Sequence, residues 1–174
     1  MQQFWTWQNL QIAWQVEGEE IPSPIAIVLI HGFGASKDHW RLNQKKIGLK
    51  APCYALDLVG FGESSQPNSC LLYERKTSKS FIYCFDSWSQ QVFDFCNEVV
   101  KKPVLLIGNS IGGVIALNTS NKLSQKCLGV VLIDCAQRTM DDKRLTEQSL
   151  LMRFLRPVIK TIVRQRFFSS TLFK

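Results

Sequence analysis

The chain reads as an α/β protein: an open, mostly parallel sheet with helices on both faces. Three observations predict it. Residues 25–30 and 128–133 are apolar throughout, as parallel strands covered on both faces are. Helical stretches, near 87–100 and 111–119, fall between the short strands, which is the alternation of an α/β sheet. Finally, Pro103-Val104-Leu105-Leu106-Ile107-Gly108-Asn109-Ser110-Ile111-Gly112-Gly113 reads as a buried strand, a glycine-bracketed turn and a helix start.

Taken in order, Trp5-Thr6-Trp7 and Ile12-Ala13-Trp14-Gln15-Val16 alternate with period two and suit an opening antiparallel pair. Residues 17–24 hold Gly18, Pro22 and Pro24 and form a turn. The run 25–30 is a buried strand, 37–46 a polar helical stretch, and 53–58 the next strand. Residues 66–80, with Pro67, Asn68, Arg75, Lys76 and Lys79, lack either period and read as a surface loop. A helix is expected over 87–100, with Ser87 and Gln90 at capping-box spacing and Trp88, Val92, Phe95 and Val99 on one face. The strand 103–107 leads into residues 111–119, which are apolar nearly all round and predict a fully buried helix. A further buried strand, 128–133, follows.

With 174 residues and 45% hydrophobic content the chain can bury a real core. Its net charge of +7 is not spread evenly: residues 143–174 hold eight lysines and arginines against Glu147 alone, and the rest of the chain is balanced. The basic character belongs to that tail, so nucleic acid is not expected as a partner. There, Leu151, Phe154, Leu155, Val158, Ile159 and Ile162 share one helical face, and Arg153, Arg156, Lys160 and Arg164 the other. Peripheral membrane contact through residues 143–174 is one use for such a face. No apolar run approaches the roughly 20 residues that span a bilayer, and the start Met1-Gln2-Gln3-Phe4-Trp5 has no signal-peptide pattern; the expectation is cytoplasmic. Cysteines 53, 70, 84, 96, 127 and 135 include no Cys-x-x-Cys pair, so they are expected as reduced thiols, with no metal and no organic cofactor.

Ser110 is the residue around which chemistry is expected. In a Gly-x-Ser-x-Gly elbow, the serine sits on a strained turn above the sheet, and Gly108 and Gly112 are required where strand and helix close on each other. His31-Gly32-Phe33-Gly34 directly follows the 25–30 strand. In an acyl-transfer enzyme such a loop supplies one oxyanion donor, the N–H of Phe33, and the N–H of Ile111 supplies the other. Asp57-Leu58-Val59-Gly60-Phe61-Gly62-Glu63-Ser64 ends the next strand in a glycine turn, where Asp57 is expected to hold local backbone groups and take no part in chemistry.

In this order and spacing the three motifs resemble the α/β-hydrolase fold superfamily over residues 10–140. A narrower likeness, carried by Tyr83-Cys84-Phe85-Asp86-Ser87-Trp88, by residues 94–100 and by the Ser110 elbow, resembles cyanobacterial and plastid members related to pheophytinase and chlorophyll dephytylase. The resemblance implies an α/β-hydrolase sheet incomplete at its C-terminal side. Residues 1–140 would be the N-terminal part of the core, and residues 141–174 the start of a truncated helical lid. It also implies a serine hydrolase acting on a small hydrophobic ester, with Ser110 as nucleophile and Phe33 and Ile111 as oxyanion donors.

The general base of that family is a histidine after its last strand, and the acid follows an earlier strand; neither region lies within these residues. Asp134 is the candidate acid, since some relatives draw theirs from the end of this strand. His31 is expected beneath the oxyanion loop, and His39 on the helix that follows it. A complementing C-terminal half is therefore an expected partner. The alternatives are an inactive fragment, or a membrane- or partner-binding module working through the basic tail. Without an outer neighbour, residues 128–133 would form an apolar, uncharged sheet edge.

Overall fold

The alternating aromatic residues at the start of the chain build its first edge. Gln3–Trp7 (β1) and Leu10–Glu17 (β2) pair antiparallel, Trp5 against Ile12. Gln8 and Asn9, both at positive φ, make the two-residue turn between them. The computed structural model describes residues 3–69 and 80–135, which fall in the first of two units of the chain, Met1–Ala136 and Gln137–Lys174. The basic tail therefore lies outside the described residues.

The apolar runs become the parallel strands expected of them. Ala26–Ile30 (β3) is followed by the helix Arg41–Gly48 (α1) and by Cys53–Leu56 (β4). Two-residue strands Asn68–Ser69 (β5) and Ser80–Phe81 (β6) form a small separate ladder at the ends of the stretch read as loop. Phe85–Phe95 (α2), Val104–Asn109 (β7), Ile111–Leu123 (α3) and Cys127–Ile133 (β8) complete the described chain. The main sheet runs β1-β2-β4-β3-β7-β8, parallel from β4 to β8 and antiparallel at the β1–β2 end.

Side-chain alternation along β3 divides the core. Ala26, Val28 and Ile30 join the larger cluster with Trp88, Val92 and Phe95 of α2 and Ile115 of α3. Ile27 and Leu29 point the other way, to Trp40, Ala51 and the α1 side. Phe95 is fully buried, and the rings of Trp5, Trp14 and Tyr54 meet it edge-on at 5.7, 5.7 and 6.2 Å. Trp5 and Trp7 also donate their indole N–H groups to Glu98 and Asp94, tying β1 to α2 and the turn after it.

Three local expectations need correction. Helix α2 starts earlier, after an extended Cys84 with no side-chain cap, so Ser87 lies inside the first turn and cannot act with Gln90 as a capping box. Its last turn widens into a π-turn, Cys96–Val100, that ends on left-handed Lys101. Helix α3 is not buried all round: Leu117 is exposed while Ile115, Ala116 and Thr119 are covered. Strand β8 is not buried on both faces either, for Leu128, Val131, Leu132 and Ile133 are each more than 40% exposed. It is the last strand of the sheet among the described residues.

The cysteines among the described residues are free thiols. Burial pushes Cys53 and Cys96 up to about 12, so both stay protonated and inert.

Candidate active site

Sheet topology puts the motif loops together. The chain runs from β3 outward to β4, then returns past β3 to β7 on its other side. Loops leaving β3 and β7 at their C-terminal ends therefore flank a switch point, the usual place for a ligand crevice in an open α/β sheet. The β3 loop carries His31 to Gly34, and the β7 turn carries Ser110.

The turn at Ser110 follows from crowding. A Cβ at Gly108 would fall 2.1 Å from the carbonyl oxygen of Gly112, and one at Gly112 would fall 2.4 Å from that of Ile30. With strand, helix and β3 this close, the chain can reverse only through a left-handed residue, and Ser110 takes φ 53° and ψ −119°. Its backbone is held on both sides. The Ser110 N–H donates to the carbonyl of Ile133 at 3.0 Å, and its carbonyl accepts from the N–H of Gly113 at 3.1 Å. The hydroxyl has no hydrogen-bond partner among the described residues.

Gly32 brings the β3 loop against this turn: a Cβ there would lie 2.9 Å from Asn109 Oδ1 and 3.2 Å from Ser110 Cβ. Among the described residues, nothing accepts a hydrogen bond from the N–H of Phe33 or of Ile111. A negatively charged oxygen beside Ser110 is the kind of group such donors suit. Gly34 is left-handed, at φ 72°, and turns the loop back so that Ala35 donates to the Gly32 carbonyl. The Phe33 side chain stays 59% exposed, its ring edge-on to Phe61 at 5.4 Å.

His31 lies under the loop with both ring nitrogens engaged. Nε2 accepts from the N–H of Leu58 at 3.0 Å, and Nδ1 is 2.8 Å from the carbonyl of Gly32. These contacts fix a neutral ring protonated on Nδ1. Burial, the largest influence, lowers its pKa. No ring nitrogen is left to take a proton from Ser110. His39 is exposed on the short 3-10 turn Lys37–Trp40, with its ring against Trp40. Asp134 follows β8 directly, exposed and at φ 45°. It is the residue after the carbonyl that holds the Ser110 N–H.

Sequence reasoning missed Lys37, which it placed on a polar helix. The side chain is buried, with its ammonium 3.4 Å from Asp57 Oδ2 and also bonded to Glu63. Burial disfavours the charge, but the Glu63 hydrogen bond and the field of Asp57 outweigh it and raise the pKa. Asp57 works as expected, accepting from the N–H groups of Lys37 and Glu63. The β3 loop is thus pinned at both ends, by His31 and by Lys37, to the Asp57 turn. No alternation or period marks a lysine as buried; the only hint in the sequence is an aspartate ending an apolar strand. Among the described residues no three metal-ligating side chains come together.

The family described as the alpha/beta hydrolase fold matches residues 25–168. The 1-acylglycerol-3-phosphate O-acyltransferase ABHD5 of Sus scrofa is 32% identical over 114 residues, 66% of this chain and 30% of its own length. A (lyso)-N-acylphosphatidylethanolamine lipase of Mus musculus is 28% identical over 109 residues, 62% of this chain and 29% of its own. Among solved structures, a bacterial membrane phospholipase A superposes with a TM-score of 0.66 at 28% identity, covering 86% of this chain and 46% of its own. The thioesterase domain of the curacin biosynthetic pathway does so with 0.64 at 22%, a likeness of fold alone. The matches span less than a third of these curated relatives' own length. The chain belongs to the α/β-hydrolase fold family.

Proposed function

We propose that this member of the α/β-hydrolase family carries the nucleophile half of a serine hydrolase acting on hydrophobic, lipid-type esters. Ser110 is the attacking group. Its Oγ gives its proton to a histidine base and adds to the ester carbonyl, the carbonyl oxygen becomes an oxyanion held by the N–H groups of Phe33 and Ile111, and collapse expels the alcohol, which takes that proton from the histidine, and leaves an acyl-enzyme. The observation that carries this reading is the strained Ser110 turn, with those two N–H groups finding no acceptor among the described residues. The apolar Phe33–Phe61 pair suits an acyl chain, and the relatives named as a lipase and an acyltransferase support a lipid-type substrate. The narrower likeness to pheophytinase relatives also speaks for a hydrophobic ester.

The base is proposed to come from elsewhere. Of the two histidines in the sequence, His31 is committed to Leu58 and Gly32, and His39 is turned to solvent beside Trp40. Asp134 can serve as the acid, yet an acid without a histidine does not activate a serine. A complementing C-terminal segment, carrying the histidine, completes the triad; these residues alone are catalytically silent. The eight cations of residues 143–174 favour membrane-surface contact near such a substrate.

The test is hydrolysis of short p-nitrophenyl esters, together with fluorophosphonate labelling of Ser110. The 174-residue chain should show no rate above its Ser110→Ala variant. Co-expression with a segment encoding a strand, a carboxylate, a further strand and a histidine should bring both hydrolysis and labelling. Hydrolysis by the chain alone that vanishes in Ser110→Ala would mean that it contains its own base.

A further inference from the structure

Helix α1 turns two sides of opposite character to its surroundings. Trp40, Gln44 and Gly48 are buried along one side. Gln44 fixes that side on the sheet, since its amide donates to the carbonyls of Gln15 in β2 and Cys53 in β4. Leu42 and Leu49 are seven residues apart, two helical turns, and lie opposite that buried line. They are the two most exposed large apolar side chains among the described residues, at 68% and 73%.

Cations surround the two leucines. Arg41, Lys45, Lys46 and Lys50 are all exposed, and Lys45 and Lys46 flank the line from Leu42 to Leu49, one on each side. No acid occurs between Asp38 and Asp57, and none of the four cations forms an ion pair with a described residue. Arg41 donates to the carbonyl of Asp38 at the start of the helix. Glu17 meets Gly48 from the sheet side, and Glu19 and Glu20 follow it in the same turn. The outward side is thus apolar along its middle and cationic on both flanks.

We infer that this side of α1 docks on a membrane surface that contains anionic phospholipid. Leu42 and Leu49 enter the boundary between headgroups and acyl chains, and the four cations lie among the anionic headgroups. Lysine stems cover apolar surface while their ammonium groups reach polar surroundings, which suits Lys45 and Lys46 beside the leucines. Other occupants fit less well. A second copy of the same face would set four cations against four, and residues 143–174 hold eight cations against Glu147 alone. A segment continuing the sheet past β8 lies elsewhere, because α1 packs on β2 and β4, with β3 and β7 between them and β8. RNA would engage the cations and leave both leucines without a role. The inference is independent of the hydrolase reading, and Ser110→Ala should leave membrane binding unchanged.

Co-sedimentation of the full chain with vesicles of equal parts phosphatidylserine and phosphatidylcholine tests it, against vesicles of phosphatidylcholine alone. Binding should be tighter to the anionic vesicles. A cation beside an anionic leaflet is worth about fivefold, so K45Q/K46Q should weaken that binding roughly 25-fold. L42S/L49S keeps every charge and should still weaken it about tenfold or more. A second readout needs no substitution. Anionic vesicles should slow acetylation of Lys45, Lys46 and Lys50, followed by mass spectrometry, and leave Lys122 unprotected on α3, across the sheet. Binding equal in the parent and both double variants would assign the contact to the basic tail and overturn the inference. So would binding that L42S/L49S leaves intact, RNA that binds as tightly as the anionic vesicles, or no protection of Lys45 and Lys46.

Discussion

Two turns leave adjoining regions of the same sheet and solve the same steric problem in opposite ways. After β4, the Asp57 turn needs left-handed backbone and gives it to glycines, Gly60 at φ 93° and Gly62 at φ 54°. Its polar groups are engaged: Asp57 holds Lys37 and Glu63 through its carboxylate, and its carbonyl accepts from Ser64 and Gln91. After β7, the left-handed residue is a serine, and its hydroxyl has no partner among the described residues. The first turn is relaxed and saturated; the second is strained and open. Strain of this kind persists only where surrounding structure over-determines it, and at Ser110 it coincides with N–H donors that have no acceptor among the described residues. The contrast separates a structural device from the site proposed for chemistry.

The sharpest way to break the contrast is to crowd each turn with one methyl group. Gly112→Ala sets a Cβ 2.4 Å from the Ile30 carbonyl oxygen and 2.6 Å from that of His31, both backbone that cannot yield without moving β3. The expected loss exceeds about 4 kcal/mol, in the range of severe packing breaches, and would appear as a collapsed urea midpoint. Gly62→Ala also clashes, 2.2 Å from Asp57 Oδ2, and is strained by its φ, but a carboxylate can swing aside. About 2–3 kcal/mol is expected there. Equal losses would mean that the Asp57 turn is as rigid as the serine turn.

The second prediction tests saturation by pH. His31, which ties the β3 loop to the Asp57 turn, is buried and neutral, and burial lowers its pKa from the ordinary 6.5. Below pH 6.5 the unfolded chain takes up a proton that the folded ring resists, so the unfolded state binds more protons and stability drops as the pH is lowered. The contribution is complete above pH 6.5 and declines by up to about 1.4 kcal/mol per pH unit below it. Urea unfolding between pH 7.5 and 5.5 would measure that slope, and His31→Gln should flatten it. An unchanged slope would place the proton uptake elsewhere.

How much of this was legible in the sequence depends on whether backbone or long-range side chains decide it. Gly108, Ser110 and Gly112 announce their turn because crowding there restricts the residue types, and the apolar runs of β3 and β7 announce strands. Asp57 holding local amides was legible from turn chemistry, whereas His31 under its loop was expected only from the resemblance to the family. Lys37 was not legible: its partner Asp57 is 20 residues away, and no periodic pattern encodes such a pair. Ser87 and Gln90 had capping spacing but sit inside a helix that begins at Phe85. The exposure of β8 was only half legible, since an apolar run specifies what a strand suits and not what covers it.

The smallest expected effect isolates the strain itself. Ser110 at φ 53°, ψ −119° has a near twin in Ser124, at φ 51°, ψ −124°, where α3 ends. An L-residue in such a region costs of order 1–3 kcal/mol, and glycine removes that cost while losing roughly 0.5–1 kcal/mol to its greater freedom when unfolded. Ser110→Gly and Ser124→Gly should therefore each stabilise the chain by about 1 kcal/mol, read as a higher urea midpoint at unchanged m-value. Ser124 is exposed and lies at a helix end, where glycine is common, so it reports the intrinsic cost of the torsions. Equal gains at both positions would mean that the serine turn stores only the ordinary penalty of its backbone. A larger gain at Ser110 would show additional strain at the proposed nucleophile. A loss at Ser110 with a gain at Ser124 would mean that the Ser110 side chain stabilises its own turn, and the contrast with the relaxed Asp57 turn would fail.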